Sequence, residues 1–243
     1  MIDIIGTGND ATFLGTPESD TIAGRSGNNL IRGRGGNDFI AGVDGNDTVF
    51  GGSGDDRIFG GETSLFAESD GDDNDLLVGN GGDDSVFAGS GDDILRGGSG
   101  NDFLVGNLGN DTIVGGNDND ELTGGAGNDL LRGGGGSDIL EGNRGNDTIV
   151  GGGGADNFLF NFSDFDPTGD GQDVIQDFVQ GQDAIRVFVS DLSTASISDL
   201  GDSALVSYGE DSSITLEGVD AEALDSSEVF FTPSDTGTLI PLV

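Results

Sequence analysis

The chain has 243 residues, of which 46 are acidic and 8 are basic, so its formal net charge is −38. A surface with this charge repels nucleic acid and anionic lipid and attracts cations. The absence of cysteine excludes disulfide bonds and thiolate metal sites, and no apolar run approaches the ~18 residues of a membrane span.

Catalytic motifs are also missing. Without histidine the chain cannot form a Ser-His-Asp triad or an H-E-x-x-H zinc site, and without lysine it cannot form a P-loop. We therefore expect no enzymatic activity. The first residues lack the basic segment and apolar run of a signal peptide, so any export signal is expected elsewhere in the chain.

In chain order, residues 1–14 hold a degenerate repeat, Gly6-Thr-Gly-Asn-Asp10, that is expected to cap the first coil. A nine-residue repeat then runs from Gly15 to Phe59 and again from Gly79 to Leu159, with the consensus G-G-x-G-x-D-x-U-x, where U is a large apolar residue. The sixth position is aspartate in all repeats except that of Asn29. These aspartates are Asp20, Asp38, Asp47, Asp56, Asp75, Asp84, Asp93, Asp102, Asp111, Asp120, Asp129, Asp138, Asp147 and Asp156.

The repeat dictates a fold. Positions 7 to 9 predict a three-residue strand whose side chains alternate, so the apolar position 8 faces inward and positions 7 and 9 face outward. The six polar, glycine-rich positions predict a loop, in which glycines at positions 1, 2 and 4 permit left-handed or crowded backbone. Two repeats make one coil. The sequence therefore predicts an all-β protein, a parallel β-roll (a two-sheet β-solenoid) whose core is one side chain thick.

The period breaks between residues 60 and 78, and two interpretations fit. In the first, Gly60–Ser69 is a degenerate rung with Leu65-Phe66-Ala67 as its strand, and Asp56 and Asp75 are neighbours. In the second, about ten residues from Glu62 bulge outward, so that Asp47 stacks on Asp75 and Asp56 on Asp84. The poor core residue Ala67 favours the bulge, because coils tolerate surface insertions. The near-regular spacing favours the rung.

The loops offer carboxylate and carbonyl oxygens only, which suits Ca²⁺ better than zinc or copper. The repeat resembles that of RTX (repeats-in-toxin, haemolysin-type) proteins over residues 6–159. That resemblance implies that each Ca²⁺ lies between loops one coil apart, ligated by the aspartates of position 6 and by carbonyls of the first four positions. It makes the fourteen aspartates named above the expected metal ligands and Asn29 a weakened site.

Residues 160–243 lose the period and show short alternating stretches, among them Asp173–Phe178 and Ala184–Phe188, that predict strands. Gly171-Gln-Asp-Val-Ile-Gln-Asp-Phe178 followed by Gly181-Gln-Asp-Ala-Ile-Arg186 is similar to the C-terminal region of serralysin-type secreted proteins. The resemblance implies a C-terminal β-strand cap that carries a signal for type I (ABC) export. We therefore divide the chain into residues 1–14, 15–159 and 160–243.

The leading hypothesis is an extracellular protein, secreted or on the cell surface, that folds when calcium binds outside the cell and has a structural or surface-interaction role. The alternative is a polysaccharide-binding module similar to the repeat modules of alginate epimerases, with Arg32, Arg96 and Arg132 as a thin basic strip. The outward positions also hold apolar residues, which suggests self-association of rolls or packing on a cell-surface layer. These residues are Phe39, Phe50, Phe59, Phe87, Phe103, Val105, Val114 and Val150.

Overall fold

The computed structural model describes residues 3–6, 10–61, 73–161, 171–189, 196–208, 212–222, 224, 229–233 and 240–241. Within these ranges the chain forms strands and turns and no helix, and therefore no helix long and apolar enough to cross a membrane. The strands build two sheets of twelve, which we call sheet A and sheet B, and successive strands of the repeats alternate between them. The predicted parallel β-roll is confirmed.

Sheet A contains, in spatial order, β1 (Asp3–Ile5), β3 (Thr21–Ser26), β5 (Phe39–Asp44), β7 (Arg57–Phe59), β9 (Ser85–Ser90), β11 (Phe103–Leu108), β13 (Glu121–Ala126), β15 (Ile139–Arg144), β17 (Asn157–Asn161), β19 (Ala184–Val189), β23 (Val229–Pro233) and β24 (Ile240–Pro241). Sheet B contains β2 (Thr12–Leu14), β4 (Leu30–Gly35), β6 (Thr48–Ser53), β8 (Leu76–Gly81), β10 (Ile94–Ser99), β12 (Thr112–Asn117), β14 (Leu130–Gly135), β16 (Thr148–Gly153), β18 (Gln172–Ile175), β22 (Ser212–Glu217), β21 (Ser203–Tyr208) and β20 (Ser196–Asp199).

Most strands of the repeats are six residues long, where the sequence predicted three. They begin at position 7 and continue through position 3 of the next repeat, as in β12, whose last three residues are Gly115, Gly116 and Asn117. Pairing skips position 1, since Arg96 pairs with Val114 and Gly98 with Gly116. The prediction of a six-residue loop was therefore wrong. The sequence did not reveal the longer strands because glycine is a poor strand former. It can nevertheless extend a parallel ladder where the neighbouring backbone leaves no room for a Cβ.

The core is the position-8 column predicted from the repeat. From Ile22 to Phe158 these side chains are completely buried, one from each strand of the two facing sheets. Positions 7 and 9 are half-buried or exposed, as the alternation requires, except for the small, buried Ala41. Each coil contributes only two large core side chains, so apolar burial per residue is small and the roll needs another source of stability.

The strand pairing stays continuous across the break in the period. Strand β6 pairs with β8 and β7 pairs with β9, so Thr48 lies beside Leu76 and Arg57 beside Ser85. Asp47 therefore neighbours Asp75, and Asp56 neighbours Asp84. This confirms the second interpretation and overturns the rung. The proposed rung strand at Leu65–Ala67 lies outside the described residues.

The loops use left-handed backbone at positions 2 and 4. Glycine fills most of these positions, but Arg25 (φ 74°), Arg34 (φ 87°) and Val43 (φ 92°) take the same conformation at position 2. The β-branched Val43 is the most strained of the three, because its Cβ substituents crowd the backbone at positive φ.

The C-terminal strands continue the same two sheets. β18 and β19 add in parallel to the last strands of the repeats, and β20 to β22 then turn antiparallel at the end of sheet B. The strand predicted at 184–188 is present as β19, and the first part of the stretch predicted at 173–178 is present as β18. The buried rings of Phe160 and Tyr208 lie 6.2 Å apart and join the repeats to this cap.

Candidate calcium-binding rows

The position-6 side chains form two rows, one along each edge of the roll. Row 1 contains Asn29, Asp47, Asp75, Asp93, Asp111, Asp129 and Asp147. Row 2 contains Asp20, Asp38, Asp56, Asp84, Asp102, Asp120, Asp138 and Asp156. The structure thus brings all fourteen predicted aspartates into the rows. Consecutive members of a row come from successive coils.

One carboxylate oxygen of each aspartate is used to bind the neighbouring coil. The backbone N–H of Asp102 donates to Oδ1 of Asp120 at 2.8 Å, and that of Asp120 donates to Oδ1 of Asp138 at 2.8 Å. The same bond recurs along both rows. It fixes the rotamer of each aspartate and directs the second oxygen, Oδ2, into the loop.

The second oxygen has no protein partner in most of the rows. Among the described residues, Oδ2 is fully buried and accepts no hydrogen bond in Asp38, Asp47, Asp56, Asp84, Asp93, Asp102, Asp111, Asp120, Asp129, Asp138, Asp147 and Asp156. A buried carboxylate oxygen without a partner costs several kcal/mol of desolvation unless it is protonated or meets a cation. Twelve such atoms in a regular array indicate a ligand that the protein chain itself does not supply.

The glycine at position 1 provides the space for that ligand. A Cβ added to Gly133 would lie 2.2 Å from Oδ2 of Asp138 and 2.6 Å from the carbonyl oxygen of Gly151 in the next coil. A carboxylate and a carbonyl oxygen therefore converge where a side chain would otherwise stand. Ala88 is the one exception at position 1 among the described repeats, and Oδ2 of Asp93 in its loop still has no partner.

This donor set fits calcium. The ligands are oxygens only, one carboxylate from each loop plus backbone carbonyls, which is the hard, multidentate environment that Ca²⁺ prefers. In the described ranges no three acidic side chains converge on a single point. A conventional carboxylate cage is therefore absent there, and the main chain must complete the coordination.

Burial raises the pKa of the thirteen position-6 aspartates from Asp38 to Asp156. It raises the pKa of Asp56 and Asp84 to about 7 and that of Asp75 to about 8, with a smaller contribution from neighbouring carboxylates. Hydrogen bonds from the backbone of the preceding coil oppose the shift. Without a cation, these carboxyls of the folded roll therefore take up protons at a higher pH than a free aspartate does.

The rows extend further than the sequence indicated. Asp147 N–H donates to Oδ1 of Asp173 at 2.9 Å, and Asp156 N–H donates to Oδ1 of Asp183 at 3.0 Å, which repeats the interior bond. Both added aspartates are buried. A signal was present, because Gly171-Gln-Asp173-Val-Ile and Gly181-Gln-Asp183-Ala-Ile keep the G-x-D-x-U core of the repeat, but we interpreted these stretches only as cap strands.

Position 5 forms a second ladder that the repeat consensus does not reveal. The backbone N–H of Asn110 donates to Oδ1 of Asp92 at 2.7 Å, and that of Asn128 donates to Oδ1 of Asn110 at 2.9 Å. These bonds run toward the N-terminus, whereas the position-6 bonds run toward the C-terminus. Asn, Asp and Ser side chains can all accept such a bond, which explains why they fill this exposed position.

The outward residues divide between the two sheets. Phe39, Phe59, Phe87 and Phe103 form a ladder on sheet A, with successive ring centroids 5.4, 5.2 and 5.6 Å apart. Arg32, Arg96 and Arg132 lie in one column of sheet B, and the Arg32 guanidinium lies 5.2 Å from the ring centroid of Phe50. Self-association and polysaccharide binding through these faces stay predictions.

The model of the RTX calcium-binding nonapeptide repeat matches overlapping segments of this chain that span residues 5–63 and 69–161. The chain belongs to this family. Its RTX repeats therefore bind multiple calcium ions.

No match was found among curated proteins. Solved structures similar to this RTX chain include two repeat subunits of the mannuronan C5-epimerase of Azotobacter vinelandii. One is 28% identical, with a TM-score of 0.41, over 55% of this chain and 86% of that one, and the other is 27% identical, with a TM-score of 0.39, over 57% and 94%.

A third similar structure is the extracellular lipase of Serratia marcescens, 20% identical with a TM-score of 0.39. The match covers 90% of this chain but only 39% of the lipase. At TM-scores this low, none of the three transfers a function to this RTX chain.

Proposed function

We propose that this RTX chain is a secreted calcium-binding roll that folds only when calcium binds outside the cell, with the fourteen predicted aspartates and Asp173 in its two rows. The observation that carries the proposal is the array of buried, unpartnered Oδ2 atoms. Its role once folded is structural or in surface interaction, since it presents regular outer faces and no catalytic constellation was predicted.

The energetics favour folding that depends on calcium. Neighbouring carboxylates about 5 Å apart repel one another by about 1 kcal/mol even at the dielectric constant of water. Row 1 contains six such contacts in sequence and row 2 contains eight. The core provides only two large side chains per coil, and the glycines add to the entropy lost on folding. Ion binding then supplies the missing folding free energy.

Calcium titration monitored by circular dichroism tests the proposal. At pH 8 in excess chelator we expect a coil-like spectrum, and added calcium should restore the β-sheet spectrum cooperatively at the affinities of extracellular modules, about 10⁻⁴ to 10⁻³ M. Unchanged β-sheet content in chelator would refute calcium-dependent folding.

A pair of single-atom variants localises the effect. Asp120→Asn keeps the Oδ1 acceptor for Asp102 N–H but replaces the unpartnered Oδ2, so half-maximal folding should need roughly tenfold more calcium, about 1.4 kcal/mol. Asp118→Asn removes the same charge from an exposed loop position and should change the midpoint little. Equal midpoints for both variants would contradict the assignment of the row.

Export through a type I transporter follows from the same logic, because a chain that is unfolded where calcium is scarce can thread a channel. We expect deletion of residues 160–243 to keep the protein inside cells that carry such a transporter. Deletion of one complete coil, residues 97–114, is the matched control and should still allow secretion, since it leaves the sheets in register. Continued secretion of the chain lacking 160–243 would count against the signal.

A further inference from the structure

The ends of the two rows differ from their interior. Inside the rows, Oδ2 of twelve position-6 aspartates meets no donor among the described residues. At the N-terminal end of each row and at the C-terminal end of row 2, N–H and O–H groups of the protein occupy the place that an ion would take elsewhere. Three separate local structures produce this result, and each can be traced to the sequence.

At the N-terminal end of row 1, Asn29 differs from the consensus aspartate by one atom. Its backbone N–H donates to Oδ1 of Asp47 at 2.7 Å, and Arg25 and Gly27 have the usual left-handed backbone, so the loop itself is regular. Its Nδ2 lies beside Gly24, where Oδ2 lies in other loops, and donates to the carbonyl oxygen of Gly27 at 2.7 Å. The Asn29 amide thus makes a direct hydrogen bond where, in other loops, a cation would lie between the position-6 side chain and a backbone carbonyl.

At the N-terminal end of row 2, the cause is Pro17. A residue before proline is restricted to extended conformations, so Thr16 cannot take the left-handed backbone usual at position 2. Thr16 instead donates its backbone N–H to Oδ2 of Asp20 at 2.6 Å and its hydroxyl to the same oxygen at 2.8 Å. Two donors therefore satisfy the carboxylate oxygen that is unpartnered in the next coil, in Asp38.

At the C-terminal end of row 2, the cap segment Asp177–Asp183 supplies the donors. Val179 N–H donates to Oδ2 of Asp183 at 2.7 Å, and the side-chain amide of Gln182 donates to the carbonyl oxygen of Gly154. Asp177 accepts the backbone N–H groups of Gly151 and Gly152 at 2.9 and 2.8 Å. One short segment thus satisfies both the acceptors and the donors that the last loop presents.

We propose that protein donors replace calcium at the ends of the rows, so that the positions of Asn29, Asp20 and Asp183 are closed without metal and calcium occupies only the interior. This inference rests on the proposed calcium-dependent function. It removes Asp20 from the fourteen expected ligands, because Thr16 already satisfies its Oδ2. The array therefore has a calcium-independent first coil and a calcium-independent last loop, with the ions between them.

Gain of a site is the sharpest test, since it does not depend on damaging the fold. Asn29→Asp restores the consensus carboxylate in a loop whose backbone is already regular, so saturating equilibrium dialysis should find one more calcium ion per chain than in the wild type. Asn46→Asp makes the same chemical change at position 5, where the side-chain oxygen only accepts the Asn74 N–H. It should add no ion.

The second variant restores the first loop of row 2. Replacing Thr16 by Gly, Pro17 by Ser and Glu18 by Gly recreates the consensus loop, frees Oδ2 of Asp20 and should also add one ion. Asp129→Asn in the interior should lose at least one ion, which shows that the measurement resolves single sites. Unchanged stoichiometry in both restored variants, with a loss in Asp129→Asn, would overturn the inference alone. A wild type that binds no calcium would overturn the proposed function as well.

Discussion

In metal-free buffer, lowering the pH from 8 to 5 is expected to give the chain the β-sheet spectrum that calcium gives it at pH 8. The reason is burial, which raises the pKa of Asp93, Asp120 and Asp129 to about 7 and that of Asp47 and Asp111 to about 6 in the folded roll. Their ordinary pKa is 3.8. Between these values the folded state binds more protons than the unfolded state, so its stability increases as the pH falls.

The pH dependence of folding has the opposite sign when calcium is present. Calcium binds the deprotonated carboxylate, so a lower pH should raise the calcium concentration needed for half-maximal folding. Both arms can be measured by circular dichroism, one in metal-free buffer and one at fixed calcium concentrations, and the pH should stay above the isoelectric point of about 4.1. A metal-free chain whose spectrum is unchanged from pH 8 to pH 5 would show that carboxylate ionisation does not limit folding.

The second large effect is steric. Gly145→Ala is expected to destabilise the calcium-loaded roll by about 3 kcal/mol, through strain at positive φ and overlap with a neighbouring coil. Gly145 has φ 130°, and an added Cβ would lie 1.8 Å from the carbonyl oxygen of Gly127. The Gly127 carbonyl cannot move away without distorting its own loop or breaking the hydrogen bond from Gly127 N–H to the carbonyl oxygen of Arg144.

Gly135→Ala is the matched control. Gly135 is also a repeat glycine, but its φ is not left-handed and an added Cβ would meet nothing within 4 Å. Its substitution should change stability by less than about 0.5 kcal/mol. Denaturant unfolding in saturating calcium compares the two, and similar midpoints would mean that the loops can absorb a Cβ at position 4.

The sequence was sufficient for the roll and for the rows because both depend on a strict period. Each repeat contributes one inward apolar residue and one position-6 side chain. Residues at the same repeat position therefore stack in a column along the roll. The sequence favoured the bulge because a missing member would interrupt a continuous column, and the structure does keep Asp47 beside Asp75.

Site residues that lie outside the nine-residue period could not be predicted from it. Asp173 lies 26 residues beyond Asp147, and Asp183 lies 27 beyond Asp156, where the interior spacing is 18. Counting in nines from Asp156 reaches Phe165 and then Val174, neither of which is acidic, so the count stops at Asp156. The closure of the Asp20 site is equally invisible to a count, since it depends on Pro17 restricting the backbone of Thr16.

The alternation of repeats between two sheets restricts how the gene can change in length. Phe59 pairs with Phe87 on sheet A, and Arg96 pairs with Val114 on sheet B, so neighbours on one face are 18 residues apart, or 28 across the break in the period. Duplication of a single nonapeptide would transfer every later repeat to the opposite sheet and break the phenylalanine ladder. Recombination that gains or loses 18 residues preserves both faces, so descendants of this gene are expected to differ in length by whole coils.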